Sequence, residues 1–332
     1  MFSKLRPLIF KVDPEKAHTL AIKSLKFNLI PNVFDENKND PIFQTKIFNT
    51  DLDNPIGIAA GFDKNAEVYN PLFKLGFGFV EVGTITPLKQ YGNPKPRVFR
   101  LVEDEALINR LGFNNHGSKV IIDRIKSNNK LGILGINVGP NKDSDDRMND
   151  YLVGLRTFHK VADYITINIS CPNTEEGKTF EDPETLNDLL YQINLVRKTD
   201  KPLFVKFSSD ADYVVLKELT DICLNHRVDG FICSNTSSNR INLKTELHEL
   251  TTIGKGGLSG KPVKKASLKN VELVRSFAPN SVVIGVGGIS SGEDAIDYLK
   301  AGADLIQVYT GLIYEGPSLV KRIQTKLIEY FN

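Results

Sequence analysis

One stretch of the chain combines a strand end, a thiol and two amides. The run Tyr164–Ser170 is rich in β-branched residues, which predicts a strand. Pro172 ends that strand and biases Cys171 toward an extended conformation. Cys171 therefore follows a strand end and has Asn168 and Asn173 close by in sequence. A thiol ordinarily has a pKa of about 8.5 and so suits proton abstraction near neutral pH. In isolation, a buried structural cysteine is the commoner interpretation.

A lysine lies inside a second apolar run. Lys206 is flanked by apolar residues in the run Leu203–Phe207. A buried ammonium is unfavourable without a partner, so this placement predicts an anionic neighbour or a shifted pKa. Two functional interpretations remain open, a Schiff-base lysine as in a class I aldolase and a cation beside an electron-rich cofactor. A structural ion pair is the third.

Glycine-rich turns close two late strands. The segments Gly285–Gly288 and Tyr309–Gly311 follow short apolar runs, and Gly256–Gly260 supplies a third glycine cluster. Glycine lets a backbone approach an anion closely because it lacks a Cβ. In α/β barrels the last two strands commonly hold a phosphate at this place. These turns therefore predict a phosphate site.

Asparagines recur near the predicted strand ends and in the loop after the second strand. Each amide offers both donors and acceptors. Such a set suits a ligand with alternating N–H and C=O groups, for example a pyrimidine-dione. The residues concerned are Asn109, Asn114, Asn137, Asn168, Asn173 and Asn235.

Eight short apolar runs alternate with helical patterns and would position these groups. Near-continuous apolar runs are typical of parallel strands buried on both faces. Eight such β/α units predict a (β/α)8 TIM barrel of the α/β class, with chemistry at the carboxyl ends of the strands. A doubly wound sheet is the weaker alternative, because no GxGxxG follows the first strand. The predicted strands are 55–61, 79–86, 134–139, 164–170, 203–209, 230–236, 282–289 and 305–311.

Two interruptions and an N-terminal segment depart from the β/α repeat. The long stretches 87–130 and 239–262 follow the second and sixth strands. Residues 1–37 predict a helical extension that precedes a barrel domain of residues 38–332. Asp13 and Pro14 predict an N-cap and a first helical position. Mixed basic and apolar residues in this extension favour either a cap on the core or a helix pair on a membrane surface.

Composition excludes several classes of protein. The 42 basic and 40 acidic residues give a formal charge of +2, which offers no bulk argument for nucleic acid. The three cysteines show no metal-ligand spacing and no disulfide framework. We therefore expect no metal and no nucleic-acid partner. No apolar run approaches the roughly 20 residues that span a bilayer.

Several motifs together resemble the dihydroorotate dehydrogenases, and the similarity covers nearly the whole chain. The N-terminal Asp13–His18 and the stretch Phe99–Asn114 resemble the quinone-dependent class 2 branch. One position departs from that branch, since class 2 enzymes usually carry serine where this chain has Cys171. The motifs are 59–64 (AAGFDK), 81–87 (EVGTITP), 96–101 (PRVFRL), 108–114 (INRLGFN), 168–174 (NISCPNT), 257–260 (GLSG) and 285–289 (GVGGI).

The resemblance implies an FMN enzyme that oxidises dihydroorotate to orotate in pyrimidine biosynthesis. It implies that Cys171 is the catalytic base and that Lys206 stabilises reduced flavin. The implied substrate-binding residues are Lys64, Asn109, Arg110, Leu111, Gly112, Phe113, Asn168, Asn173, Asn235 and Thr236. The implied cofactor-binding residues are Ala60, Gly61, Phe62, Asp63, Lys64, Thr84, Asn137, Asn168, Lys206, Ser234, Gly260, Gly288, Tyr309 and Thr310.

The class 2 resemblance also implies a membrane quinone as electron acceptor. His18, Arg100 and Tyr309 would lie at the inner end of a quinone funnel. The enzyme would then be a monomer, peripheral to the cytoplasmic face of the inner membrane. Alternatives are a fumarate-dependent dihydroorotate dehydrogenase, another FMN-barrel dihydropyrimidine oxidoreductase, a class I aldolase and a non-catalytic flavin-binding protein.

Overall fold

A computed structural model of the chain describes residues 2–29, 41–43, 45–47, 50–170, 180–197 and 201–332. The strands are β1 (Thr45–Ile47), β2 (Thr50–Leu52), β3 (Ile56–Ile58), β4 (Phe79–Ile85), β5 (Val98–Leu101), β6 (Ala106–Asn109), β7 (Ile133–Val138), β8 (Tyr164–Asn168), β9 (Leu203–Phe207), β10 (Gly230–Cys233), β11 (Gly257–Gly260), β12 (Val282–Val286) and β13 (Leu305–Val308).

The helices alternate with these strands along most of the chain. They are α1 (Phe2–Ile9), α2 (Pro14–Lys26), α3 (Tyr69–Lys74), α4 (Ser118–Lys126), α5 (Arg147–Phe158), α6 (Pro183–Val196), α7 (Tyr213–Asn225), α8 (Leu247–Ile253), α9 (Lys264–Phe277), α10 (Gly292–Lys300), α11 (Thr310–Glu315) and α12 (Leu319–Phe331). Short 3₁₀ turns occupy Pro41–Phe43 and Lys261–Val263.

Eight parallel strands close into a barrel in the order β3, β4, β7, β8, β9, β10, β12, β13 and back to β3. These strands begin within one residue of the eight runs that the sequence predicts and end one to three residues earlier, so the TIM-barrel prediction is confirmed. Their residues are almost all buried, as parallel strands covered by helices should be. One apolar cluster inside the barrel contains Phe79, Tyr164 and Phe204, and a larger one lies between the strands and the helices.

The two interruptions of the β/α repeat come together as one small sheet. β5 and β6 form an antiparallel hairpin in the first interruption, and β11 from the second pairs antiparallel with β6. Leu101, Ile108 and Leu258 form a separate apolar cluster at this sheet. The sequence indicated that both stretches were unusual but not that they pair, because each holds too few strand residues to show a clear pattern.

Two helices, α1 and α2, lie in the described part of the N-terminal segment. Asp13 caps α2 by accepting a hydrogen bond from the Lys16 N–H at 2.9 Å, and Pro14 opens the helix. Glu15 on α2 forms an ion pair with Arg97, 2.6 Å from Glu15 Oε1 to Arg97 Nη2. Within the described ranges no helix is long and apolar enough to cross a bilayer. The predicted boundary at residue 37 lies outside the described residues.

Candidate active site

A single cavity of about 2070 Å³ gathers most of the predicted site residues. It opens at the carboxyl ends of the barrel strands and extends to helices α1 and α2, and we refer to it as the barrel cavity. Predicted substrate-binding and cofactor-binding residues line it, together with the predicted quinone-site residues His18 and Arg100. The predicted residues in its lining are Ala60, Gly61, Phe62, Asp63, Lys64, Thr84, Asn109, Arg110, Leu111, Gly112, Phe113, Asn168, Lys206, Ser234, Asn235, Thr236, Gly260, Gly288, Tyr309 and Thr310.

Two glycines at one end of the barrel cavity are required by their backbone geometry. Gly260 has a φ of +103°, and a Cβ built on it would lie 2.4 Å from the carbonyl oxygen of Glu105. Gly288 has a φ of +70°, and its Cβ would lie 2.7 Å from the Cβ of Lys264. Side chains are therefore excluded at both positions. The result is a backbone-lined recess of the kind that the sequence predicts for a phosphate.

A chain of hydrogen bonds runs from the barrel interior to the cavity wall. Asn137 donates from Nδ2 to Glu81 Oε1 at 2.8 Å, and Thr84 donates from its hydroxyl to Asn137 Oδ1 at 2.7 Å. Asn168 donates from Nδ2 to the Thr84 hydroxyl at 3.0 Å. All four residues are buried. Asn137 is fully covered by its neighbours and is absent from the cavity lining, whereas the other predicted asparagines in the described ranges reach the cavity.

The amide chain continues at the rim through a residue that the sequence analysis did not assign. Ser170 donates to Asn168 Oδ1 at 2.9 Å, and Asn235 donates from Nδ2 to Ser170 Oγ at 2.5 Å. The available sequence signal was the place of Ser170, two residues after Asn168 at the end of a strand. The structure thus brings Asn168 and Asn235 together through Ser170.

Lys206 extends from β9 into the barrel cavity and is 5% exposed. Among the described residues its ammonium has no hydrogen-bond partner and no carboxylate within ion-pair distance. Burial lowers the pKa of Lys206, and the charge of Glu81 partly opposes that shift. The arrangement supplies a cation facing the cavity rather than a closed structural ion pair.

Lys64 and Asp63 share a tight turn after β3. Lys64 donates from Nζ to the Gly61 carbonyl at 2.5 Å, and burial lowers its pKa to about 8. Asp63 accepts hydrogen bonds from the backbone N–H groups of Glu67 and Val68, at 2.8 and 2.7 Å. Both carboxylate oxygens of Asp63 therefore stabilise the turn that carries Lys64. Asp63 thus has a structural role in addition to its predicted cofactor contact.

The turn 109–113 leaves β6 and is fixed from the accessory sheet. Asn109 donates to the Gly257 carbonyl at 3.4 Å. Arg110 donates to the carbonyls of Ile253 and Lys255, at 2.5 and 3.0 Å, with its guanidinium 4.7 Å from the Phe99 ring centroid. Arg110 therefore anchors the turn, and it lines the cavity together with Asn109, Leu111, Gly112 and Phe113.

The predicted quinone-site residues lie where the helical extension meets the barrel. The His18 ring packs edge-on against Phe62 at 5.3 Å, and Phe62 against Tyr309 at 5.9 Å. Burial, assisted by the Lys64 charge, lowers the pKa of His18 to about 3, so the ring is neutral. Arg100 donates to the carbonyls of Phe10 and Val12, at 3.1 and 2.7 Å.

The predicted base Cys171 and the predicted substrate residue Asn173 lie outside the described residues. Their roles therefore stay predictions. The other two cysteines, Cys223 and Cys233, are buried, and burial raises the pKa of both thiols. Neither is placed to serve as a base in the barrel cavity.

The fold and the site together define a (β/α)8-barrel enzyme with its polar site at the carboxyl ends of the strands. Residues 42–331 match the sequence profile of the family described as dihydroorotate dehydrogenase. The chain therefore belongs to the dihydroorotate dehydrogenase family.

Individual relatives agree with this assignment. The chain is 44% identical to the dihydroorotate dehydrogenase (quinone) of Agrobacterium fabrum, over 97% of this chain and 90% of the relative. It is 43% identical to the protein of the same name from Rhizobium rhizogenes, over 95% of this chain and 88% of the relative. The crystal structure of ligand-free dihydroorotate dehydrogenase from Eimeria tenella superimposes with a TM-score of 0.89 at 35% identity, covering 96% of this chain and 95% of that chain.

Proposed function

We propose that this protein oxidises dihydroorotate to orotate with FMN as cofactor and transfers the electrons to a membrane quinone. The observation that carries the proposal is the continuity of the barrel cavity. One space contains the glycine recess, the amide set and the face of the helical extension that carries His18.

The residues of the cavity fit FMN. Gly260 and Gly288 offer a backbone recess that any Cβ would fill, which suits a phosphate. Lys206 offers a buried ammonium with no hydrogen-bond partner among the described residues, which suits a ring that gains negative charge. Thr84, Asn168 and Ser234 supply hydroxyl and amide groups between these two ends. When bound, FMN supplies a two-electron acceptor for the substrate hydride.

Substrate recognition rests on charge and amide complementarity. Lys64 would bind the carboxylate of dihydroorotate, and Asn109, Asn168 and Asn235 would bind its ring N–H and C=O groups. Cys171 would take the proton from C5 as its thiolate, and Asn173 would complete the amide set. A correctly placed base typically contributes about 10²–10⁴-fold to the rate.

Helices α1 and α2 would bring the quinone to the cavity and hold the enzyme at the cytoplasmic face of the membrane. Leu8 and Leu20 on these helices are 62% and 56% exposed. Exposed apolar side chains beside Lys and Arg are typical of an interfacial helix. We propose a monomer that is peripheral to the membrane, with the extension of residues 1–37 as the membrane-facing unit and residues 38–332 as the catalytic barrel.

Anaerobic stopped-flow spectroscopy tests the proposal. Dihydroorotate should bleach the absorbance of the bound flavin, and a short-chain ubiquinone should restore it rapidly while fumarate does not. Reoxidation by fumarate alone would instead identify a fumarate-dependent enzyme, the alternative that Cys171 favours. A bound flavin that dihydroorotate leaves oxidised would refute the proposal.

A further inference from the structure

Glu81 is a fully buried carboxylate inside the barrel, and the predicted chemistry does not use it. It lies on β4 with an exposure of 0%. Three side chains on three other strands donate to it: Asn137 at 2.8 Å, Tyr164 at 3.0 Å and Gln307 at 2.9 Å. Burying a carboxylate in a barrel costs desolvation energy, and these three hydrogen bonds offset part of that cost.

The charge on Glu81 determines which group donates in each hydrogen bond of the chain from Asn137 to Ser170. A carboxylate can only accept, so Asn137 must turn its NH₂ group inward and its oxygen toward Thr84. The Thr84 hydroxyl must then donate to Asn137, and it accepts from Asn168 Nδ2. The oxygen of Asn168 is consequently left to accept from Ser170 at the rim. A single buried charge therefore determines which amide groups face the cavity as donors and which as acceptors.

Glu81 is also the carboxylate that acts on Lys206 within the described structure. Burial lowers the pKa of Lys206, and the Glu81 charge opposes that shift. The other titratable side chains on the strands flanking β9 are Tyr164 on β8 and Cys233 on β10. Burial raises the pKa of both, so both are neutral near pH 7. Among the residues that the structure describes, the ammonium that faces the cavity thus has one opposing charge.

We propose that Glu81 is a positioning residue, which orients the Asn137–Thr84–Asn168 chain and supplies the charge that opposes Lys206, so that donors and a cation are presented to a ring that gains negative charge when it accepts electrons. The inference rests on the proposed function for the identity of that ring as the FMN isoalloxazine. Glu81 itself touches neither cofactor nor substrate, since it is not part of the cavity lining.

The test compares Glu81→Gln with Tyr164→Phe. Glu81→Gln keeps the shape but removes the charge and the fixed acceptor. Tyr164→Phe removes one donor to the same carboxylate and leaves its charge and the Asn137 contact in place. A packing role would make the two variants equally defective. The positioning role predicts that FMN binds at least about tenfold more weakly to Glu81→Gln, because one oriented hydrogen bond is worth roughly that factor, and within about threefold of wild type to Tyr164→Phe.

The pH dependence of the flavin midpoint potential gives a readout that packing would not move. Wild type and Tyr164→Phe should give parallel curves from pH 6 to 9. The Glu81→Gln curve should diverge from them as the pH rises, because Lys206 then lacks the charge that opposes the lowering of its pKa by burial. A tenfold loss in the preference for reduced over oxidised flavin corresponds to about 30 mV. Equal affinities and parallel curves for all three proteins would overturn the inference.

If Glu81→Gln fails to fold, a second variant still tests the inference. Glu81→Gln combined with Lys206→Met removes both buried charges. If the double variant folds where the single variant does not, the opposing charge of Glu81 is confirmed. If neither folds, Glu81 is structural and the inference is wrong. Failure of the proposed function is recognised separately, since wild-type flavin would then remain oxidised when dihydroorotate is added.

Discussion

At the scale of single residues, Lys64 combines burial with a predicted substrate contact. Burial lowers its pKa to about 8, so the ammonium is present below pH 8 and is lost as the pH rises through that value. We expect the Kd for orotate to increase roughly tenfold between pH 7 and pH 9, in proportion to the lost ammonium. Isothermal titration calorimetry across this range measures the effect. In the control Lys64→Met, binding should be weak at every pH, and a wild-type pH dependence in that variant would contradict the assignment.

Glu181 shows how burial at one residue affects stability. Its carboxylate accepts a hydrogen bond from the Ser208 N–H at 2.8 Å, yet burial raises its pKa to about 7. Because the folded-state pKa is raised, the folded protein gains stability as the pH falls from 7 toward 4.5. Above pH 7 the buried charge is a penalty.

We therefore expect Glu181→Gln to raise the free energy of unfolding at pH 8, by up to about 3 kcal/mol, and to have little effect at pH 5. Denaturant titrations at the two pH values measure this difference. Glu218→Gln, at an exposed carboxylate on α7, is the matched control and should change neither value. A gain for Glu181→Gln that is as large at pH 5 as at pH 8 would exclude the titration of Glu181 as the cause.

At the scale of elements, a bidentate ion pair helps to attach α2 to the rest of the chain. Glu15 binds Arg97 with both oxygens, at 2.6 Å to Nη2 and 3.1 Å to Nε, and Arg97 is 6% exposed. Arg97 also donates to the carbonyls of Tyr91 and Asn93, at 2.7 and 2.9 Å. The helix is thereby fixed to the loop that leads into β5. The hydrogen bond from Arg97 is the main effect that lowers the Glu15 pKa.

We expect Glu15→Gln to lower the free energy of unfolding by about 1–3 kcal/mol near pH 7. The loss should shrink as the pH falls below about 4.5, because Glu15 becomes protonated first in the unfolded chain and then, at lower pH, in the folded protein. Lys95 also approaches Glu15, at 3.4 Å with 69% exposure, and Lys95→Met should cost under about 0.5 kcal/mol. Chemical denaturation of the three proteins checks both values. Equal losses of unfolding free energy in Glu15→Gln and Lys95→Met would contradict a dominant contribution from the Arg97 contact.

The accessory sheet illustrates how elements far apart in sequence build one wall of the site. β11 pairs with β6 in the register Gly257 to Asn109 and Gly260 to Ala106. The same pairing places Gly260 next to Glu105 and brings Asn109 to the cavity. The glycine recess at Gly260 and the turn that follows Asn109 are therefore held by the same small sheet.

At the scale of the whole molecule, two half-reactions share one cavity but use different parts of the chain. The amide set and Lys206 lie on the barrel, whereas the proposed quinone entrance is formed with α1 and α2. A chain that lacks residues 1–29 should still reduce its flavin with dihydroorotate but should lose most of its quinone reductase activity. Stopped-flow measurements follow flavin reduction and flavin reoxidation separately. Ferricyanide serves as a control acceptor, because it is water-soluble and needs no lipid surface. Wild-type quinone reduction by the truncated chain would contradict the role of the helices.

The sequence by itself determined the barrel and many of the residues that line its cavity. Eight buried parallel strands leave a local signature, since each is a short apolar run followed by a helical pattern, and polar residues at their ends converge wherever the barrel closes. Asn168, Lys206 and Gly288 could be assigned for that reason. Helix caps such as Asp13 are equally local, because one side chain satisfies a backbone group three residues away.

The tertiary structure alone decided what depends on contacts between distant segments. The pairing of β6 with β11 joins residues about 150 positions apart. Neither short strand has a residue pattern that identifies the strand it pairs with. In the sequence, Glu81 is one residue within a mostly apolar strand pattern. Only the tertiary structure shows that Asn137, Tyr164 and Gln307 donate to it from three other strands. The depressed pKa of Lys64 has the same origin, because burial is set by the packing of the whole chain and not by the neighbours of a residue in sequence.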